Sequence, residues 1–166
     1  MFKFYKLYSL AFVSMSLLVV AGCFNSDKGS EKNIAPELVI INVLDKADFD
    51  DCHIQGSVNI SFDAFESAMK KFNKNNHYVI YCADYMCMSS GFCAKLLKDA
   101  KFEHVWAYEG GMAEWYQKGF PCQGPAESDY LKGENVNLSD EEDETMIPVI
   151  SAEELLAKIE EFSSKK

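Results

Sequence analysis

The chain has 166 residues and is 48% hydrophobic, enough for one globular domain with its own core. Its formal charge is −10 and every basic residue is a lysine, which argues against nucleic acid or an anionic membrane surface as a partner. Six cysteines are present without paired CxxC or HxxxH spacing, so no structural metal site is expected and no cofactor is implied.

At the N-terminus Lys3 and Lys6 precede an apolar run over 10–20 that ends in Ala21-Gly22-Cys23. A basic start, a short apolar stretch and small residues are the marks of a secretory signal. The run is short for a membrane span. Val20-Ala21-Gly22-Cys23 resembles the bacterial lipoprotein box, which implies a signal peptide over 1–22 and lipid on Cys23. It also implies a lipid-anchored spacer over 23–37 and a place in the bacterial cell envelope, facing the periplasm or the exterior. The membrane contact is then made through the N-terminal lipid alone. Loss of 1–22 removes two lysines and takes the charge from 16 − 26 = −10 to 14 − 26 = −12. Beyond Cys23, five cysteines remain. Five is odd, so in an oxidising compartment at least one is expected to be free, modified or paired with another molecule.

Residues 38–44, Leu-Val-Ile-Ile-Asn-Val-Leu, form a continuous apolar run suited to a strand covered on both faces. Residues 45–51 are an acidic loop or short helix; Asp45, Asp48, Asp50 and Asp51 lack the spacing of a calcium site. Residues 52–60 pass through a turn at Gly56 into a short strand over 58–60. Phe62, Phe65, Ala68, Met69 and Phe72 share one helical face. Residues 78–81 read as a buried strand. A helix is expected from about Ser89 to Ala100, with Phe92, Leu96 and Leu97 on one face. A fourth strand over 105–108 leads through the turn Glu109-Gly110-Gly111 to a helix over 112–118, ended by Gly119-Phe120-Pro121. This alternation predicts an α/β fold: an open, mostly parallel sheet with helices on both faces.

Between the strand over 78–81 and the next helix lies a tight loop, Cys82-Ala83-Asp84-Tyr85-Met86-Cys87-Met88. Backbone N–H groups of such a loop converge, and the helix N-terminus adds partial positive charge. A thiol at its first position should lose its proton more easily than a free thiol, whose pKa is about 8.5. Cys82 is therefore a candidate nucleophile and Cys87 a candidate partner. Ala83, Asp84, Tyr85, Met86 and Met88 would form the substrate-binding loop. The plainer alternatives stay open: Cys82 as a small apolar residue ending a buried strand, and Cys87 as packing. A disulfide between them needs Cα atoms within about 7 Å. His53 reads as a residue that holds its own turn. Cys93 reads as buried packing, and Trp106, Trp115 and Tyr116 as core or its rim. Cys52 and Cys122 carry no assignment.

Three motifs then fall in order. Cys52-His53-Ile54-Gln55-Gly56-Ser57-Val58-Asn59-Ile60 resembles the "GHIxGAxNI" signature of rhodanese-like sulfurtransferases. Tyr81-Cys82 with its loop and helix resembles their active-site loop, and Glu109-Gly110-Gly111-Met112-Ala113-Glu114-Trp115 their "EGGxxxW". The resemblance implies a rhodanese-like domain over 38–125. In it Cys82 carries sulfane sulfur as a persulfide and passes it to a thiol or similar acceptor. The partner would be a small sulfur-containing molecule or a protein thiol.

The departures are specific. Asn42-Val43-Leu44 stands where the family usually has Asp-Val-Arg, and Cys52 stands where it has glycine. The loop ends in Met86-Cys87-Met88 rather than arginine, which also argues against the phosphatases that share this fold. Thiosulfate is a dianion best gripped by arginine. With no arginine and with Asp84 in the loop, it is expected to be a poor donor. Two further readings stand beside sulfur transfer: a thiol–disulfide redox protein using Cys82 and Cys87, and a non-catalytic tethered binding module.

After an expected acidic linker over 126–146, structure is predicted to return over 147–163. Ser151 with Glu154 three residues on is a capping box, and Leu155, Leu156 and Ile159 give an apolar face. Rhodanese domains normally open with a short strand running into "ISxEEL" and a helix. Nothing before residue 38 has that pattern, whereas Val149-Ile150-Ser151-Ala152-Glu153-Glu154-Leu155 resembles it. The expectation is that the tail supplies this first strand and helix at the sheet edge beside 105–108, as in a circular permutation.

Overall fold

The structure is a computed structural model that describes residues 35–136 and 147–165. The expected signal, Cys23 and the acidic run over 140–144 lie outside the described residues. In chain order the elements are β1 (Leu38–Asn42), α1 (Lys46–Asp51), β2 (His53–Ile54), β3 (Val58–Asn59), α2 (Phe62–Ala68), β4 (His77–Tyr81), α3 (Ser89–Asp99), β5 (Val105–Tyr108), α4 (Gly111–Gln117), β6 (Cys122–Gln123) and α5 (Ala152–Ser163).

Four strands make a parallel sheet in the order β3-β1-β4-β5. β4 is central, in register with β1 from Leu38↔His77 to Asn42↔Tyr81 and with β5 from Tyr78↔Val105 to Tyr81↔Tyr108. Along β4 the side chains alternate between two cores. Tyr78 and Ile80 join Cys82, Phe65, Cys93 and Leu97 on the face covered by α2 and α3. Val79 and Tyr81 join Met112, Trp115 and Leu155 on the face covered by α4 and α5. A strand buried on both faces explains its unbroken apolar sequence. β1 stops two residues short of the apolar run because the Asn42 side-chain oxygen accepts a hydrogen bond from the Leu44 N–H at 2.9 Å and turns the chain.

The tail completes the sheet. Val149 forms a parallel bridge with Ala107. The Ala107 N–H donates to the Pro148 carbonyl at 3.0 Å, and the Ile150 N–H donates to the Ala107 carbonyl at 2.9 Å. α5 begins with the expected capping box: the Glu154 N–H donates to Ser151 Oγ, and the Ser151 N–H donates to the Glu154 carboxylate. Ile150, Ala152 and Leu155 are buried against the sheet. The tail thus adds an edge segment and a helix beside β5.

Two features differ from expectation. β2 and β6 form a small antiparallel ribbon, with His53↔Gln123 and Ile54↔Cys122 paired. Strands of two residues are too short to leave a periodic signal. Residues 126–136, expected as the start of the acidic linker, are anchored to the domain at single points. Leu131 is fully buried in a short 3-10 turn over Asp129–Lys132. The Asp51 carboxylate accepts hydrogen bonds from the Glu127 and Ser128 N–H groups at 2.9 and 3.0 Å. Those bonds hold its pKa below the usual carboxylate value. The acidic composition of the wider stretch hides this anchored pair of apolar residues, Tyr130 and Leu131.

Candidate active site at the cysteine loop

Cys82 follows β4 at the carboxyl end of the parallel sheet, the end where ligands bind in open α/β folds. Two neighbours fix the loop that begins there. The first N–H groups of α4 reach across to it: Met112 donates to the Cys82 carbonyl at 3.0 Å and Ala113 to the Ala83 carbonyl at 2.9 Å. The turn before α4 lies directly against the loop. Gly111 has φ +62°, and a Cβ placed on it would lie 2.5 Å from the Ala83 carbonyl carbon. The EGG motif is therefore a seat for the cysteine loop, and glycine is required there for both conformation and space. On the other side, Asn135 Oδ1 accepts from the Tyr85 N–H at 3.2 Å while its Nδ2 donates to the Gly110 carbonyl at 3.1 Å. Sequence reasoning missed Asn135, because it lies in the segment taken as linker.

Within the loop, Asp84 bends the chain. Its Oδ1 accepts from the Met86 N–H at 2.9 Å, and its carbonyl accepts from the Cys87 N–H at 3.1 Å. This folds Cys87 back over Cys82. Cys82 Sγ lies 2.8 Å from the Cys87 carbonyl oxygen and 3.3 Å from Ser90 Oγ, with the Cys87 thiol beside it. The two cysteines of the loop are thus in contact, and Ser90 joins them from the first turn of α3.

The electrostatics invert the sequence expectation for Cys82. Cys82 is fully buried, and its thiol pKa is pushed up, first by its hydrogen bond with Cys87 and then by burial. Cys87 is only partly buried. Its pKa is brought down to about 5, first by the hydrogen bond from Cys82, then by the backbone N–H groups of Ser89 and Ala83. The converging N–H groups and the helix N-terminus do stabilise a thiolate, but at Cys87. The Cys82 thiol instead donates to the Cys87 carbonyl oxygen at 2.8 Å.

The rim is apolar. Met86, Met88 and Phe92 are 69%, 86% and 54% exposed. The Phe92 ring lies 5.6 Å from that of Phe62 at the start of α2. The other sequence candidates sit elsewhere. His53 holds its turn as expected, with Nδ1 2.7 Å from the Phe49 carbonyl oxygen and its ring stacked on Phe49. Cys93 is buried packing beneath α3, and Trp115 is core. Among the described residues no group of three or more His, Cys, Asp or Glu gathers as a metal site.

Parallel strands closed by a cysteine loop on a glycine seat define an α/β protein with its thiol site at the carboxyl edge of the sheet. The model of the rhodanese-like domain family matches residues 27–118, more than half of the chain, and the protein belongs to that family. Solved structures are similar. A Bacillus halodurans protein aligns with a TM-score of 0.51 at 21% identity, covering 56% of this chain and 69% of its own. The rhodanese-like domain of an Anabaena sp. protein aligns with a TM-score of 0.48 at 29% identity, covering 61% of this chain and 76% of its own. An E. coli rhodanese solved with anions aligns with a TM-score of 0.43 at 22% identity, covering 52% of this chain and 98% of its own. No curated protein matches the chain.

Proposed function

We propose that this rhodanese-family protein is a sulfurtransferase that handles sulfane sulfur on the Cys82–Cys87 pair. The observation that carries the reading is the contact between the two thiols in the family's catalytic loop. Cys87 is the accessible partner, and Cys82 lies beneath it. The Cys87 thiolate attacks the outer sulfur of a donor persulfide, R–S–SH. The S–S bond of the donor breaks, RS⁻ leaves, and Cys87–S–SH forms. The Cys82 sulfur then attacks the outer sulfur of Cys87–S–SH, and its proton passes to the Cys87 sulfur as that sulfur leaves. Cys82–S–SH forms and Cys87 is released as a thiol that ionises again at the loop rim. The same steps in reverse deliver the sulfur to an acceptor thiol. Cys82 is thus the storage position, as the family resemblance implies, and Cys87 the thiol that exchanges with donor and acceptor. The loop of Ala83, Asp84, Tyr85, Met86 and Met88 supplies walls and N–H donors. The donor and acceptor are small sulfane-sulfur compounds or protein thiols.

The protein works at the cell envelope in this reading, exported by residues 1–22 and held by lipid on Cys23. Support for that comes from the sequence pattern alone.

The test is to incubate the full chain with glutathione persulfide and map the added sulfur by peptide mass. One extra sulfur atom on Cys82 is expected in the wild type and on Cys87 in Cys82→Ser, while Cys87→Ser loads far more slowly. No added sulfur on either residue overturns the proposal. The thiol contact also favours a second reading, a dithiol–disulfide couple. A Cys82–Cys87 disulfide that oxidises a substrate dithiol, with no sulfur uptake, would establish it instead.

A further inference from the structure

A second pair of cysteines meets in this fold, away from the loop. Cys52 ends α1 and leads into β2, and Cys122 opens β6. The β2–β6 register pairs Ile54 with Cys122. Side chains two apart on a strand share a face, so Cys52 lies diagonally across from Cys122 on the same side of the ribbon. Both belong to one core: Cys52 is fully buried and Cys122 packs against the cluster that contains it. The Cys122 thiol is among the neighbours that act on the Cys52 thiol.

We infer that Cys52 and Cys122 form a disulfide that staples the α1–β2 corner to the chain leaving α4. Several backbone bonds already hold the two segments together. The Gln55 N–H donates to the Pro121 carbonyl at 3.2 Å and the Ala126 N–H to the Asp51 carbonyl at 2.8 Å. Gly124 follows closely, with φ +118° and a Cβ position 2.2 Å from the Asp51 carbonyl oxygen. The ribbon is two residues long in each strand, so the shift that brings the sulfurs to bonding distance falls on short, terminal backbone. The family motif has glycine at the position of Cys52, so the bridge is a feature of this chain rather than of the motif.

The chemistry requires a disulfide oxidant, R–S–S–R. Cys122, partly exposed, attacks first as thiolate. An S–S bond of the oxidant breaks, RS⁻ leaves, and a mixed disulfide forms on Cys122. Cys52 then attacks the Cys122 sulfur and expels the second RS⁻. The net change is two protein thiols oxidised and one R–S–S–R reduced to two RSH. The second step is the slow one. Burial and the neighbouring Cys122 push the Cys52 thiol up to about 12, so little of it is thiolate near neutral pH. Once Cys122 is in the mixed disulfide, its contribution to that shift is gone. The cysteine count also closes. Apart from Cys23, the remaining five become two contacting pairs and a lone Cys93 sealed under α3.

The test uses the full chain, purified reduced and then exposed to oxidised glutathione under native conditions. Remaining thiols are alkylated and the peptides mapped. A Cys52–Cys122 cross-link is expected, forming faster as pH rises. It should form equally in a Cys82→Ser/Cys87→Ser double variant, which separates it from any loop disulfide. Oxidation should raise the Tm of that double variant, and the rise should vanish when Cys122→Ser is added. Recovery of Cys52 and Cys122 both alkylated, a cross-link of either to another cysteine, or a cross-link that forms only in denaturant overturns the inference.

Discussion

Gly111 stands with its Cα against the Ala83 carbonyl, so close that an added methyl would lie 2.5 Å from the carbonyl carbon and 2.6 Å from the Asp84 nitrogen. The obstructing atoms are backbone and cannot rotate away. Its φ of +62° adds strain for any L side chain. Gly111→Ala is therefore expected to cost roughly 2–4 kcal/mol, combining backbone strain with overpacking. The loop should also be displaced, because Met112 and Ala113 would no longer reach the carbonyls of Cys82 and Ala83. Denaturant unfolding and the rate of Cys87 alkylation read the two effects. A variant that matches wild type in both would show that the turn and the loop are not in contact.

Cys87, not Cys82, should be the fastest thiol. Alkylation rate at Cys87 follows its thiolate, so it should be on a plateau at neutral pH and fall to half at about pH 5. Cys82, Cys93 and Cys52 are fully buried and should react slowly. Cys82→Ala removes the hydrogen bond that contributes most to the Cys87 shift, so the midpoint should move toward the ordinary thiol range. A wild-type midpoint near the ordinary value of 9.0 would contradict the assignment.

Much of this site was legible from sequence, and the part that was not has a physical cause. The strand over 78–81, the loop and the glycine turn are each specified by local chemistry: β-branched and aromatic residues, a helix start, a φ only glycine tolerates. Which cysteine would bear the negative charge was not legible. That depends on the Asp84 turn folding Cys87 back over Cys82, a fact of three-dimensional arrangement. Asn135 and Leu131 were hidden for another reason. Anchoring by one side chain at a time leaves no periodic pattern, and the surrounding acidic composition suggested a solvated linker. The Ile54↔Cys122 pairing was invisible because two-residue strands carry no periodicity.

Thiosulfate should be a poor donor. The chain has no arginine, and the loop presents the Asp84 carboxylate, exposed Met86 and exposed Met88. A dianion finds no bidentate partner there. A glutathione persulfide, whose reacting sulfur can enter without full charge beside it, should load Cys87 at least tenfold faster, a difference of about 1.4 kcal/mol in barrier. Single-turnover loading with each donor checks this. Faster loading by thiosulfate would refute the electrostatic argument.

Stability should fall between neutral and mildly acidic pH through His77. Its ring stacks on His104 at 4.3 Å and meets Phe162 of α5 at 5.0 Å. Burial lowers its pKa from 6.5, aided by His104, Lys158 and Lys165 and opposed by Glu161. A histidine whose folded value is depressed contributes stability that is complete above its unfolded value. That stability is lost as pH falls below about 6.5 toward the folded value. The carboxylates with lowered values, such as Glu161, act lower, beneath their ordinary 4.5. The Tm should therefore drop between about pH 7.5 and about pH 5.5, either side of the ordinary histidine value, and His77→Gln should flatten that step. An equal drop in the variant would assign it elsewhere.

The tail is held mainly by apolar burial. Leu155 is fully buried among Val79, Trp115 and Ile150, and truncating such a leucine costs about 2–5 kcal/mol. The link between α5 and α4 is an ion pair, Lys118 Nζ to the Glu153 carboxylate at 2.7 Å, with the Glu153 side chain 62% exposed. An exposed pair of this kind contributes at most about 1 kcal/mol. Leu155→Ala should therefore lower the Tm by on the order of 10 °C, and Lys118→Ala by roughly 3 °C or less. Deleting 147–166 should exceed both. It uncovers the Ala107 backbone groups now paired with Pro148 and Ile150, along with the core face beneath α5. Thermal melts of the three variants against the full chain decide the order. If Leu155→Ala melts with the wild type, the tail does not complete the sheet in solution, and the edge beside β5 must be covered in another way.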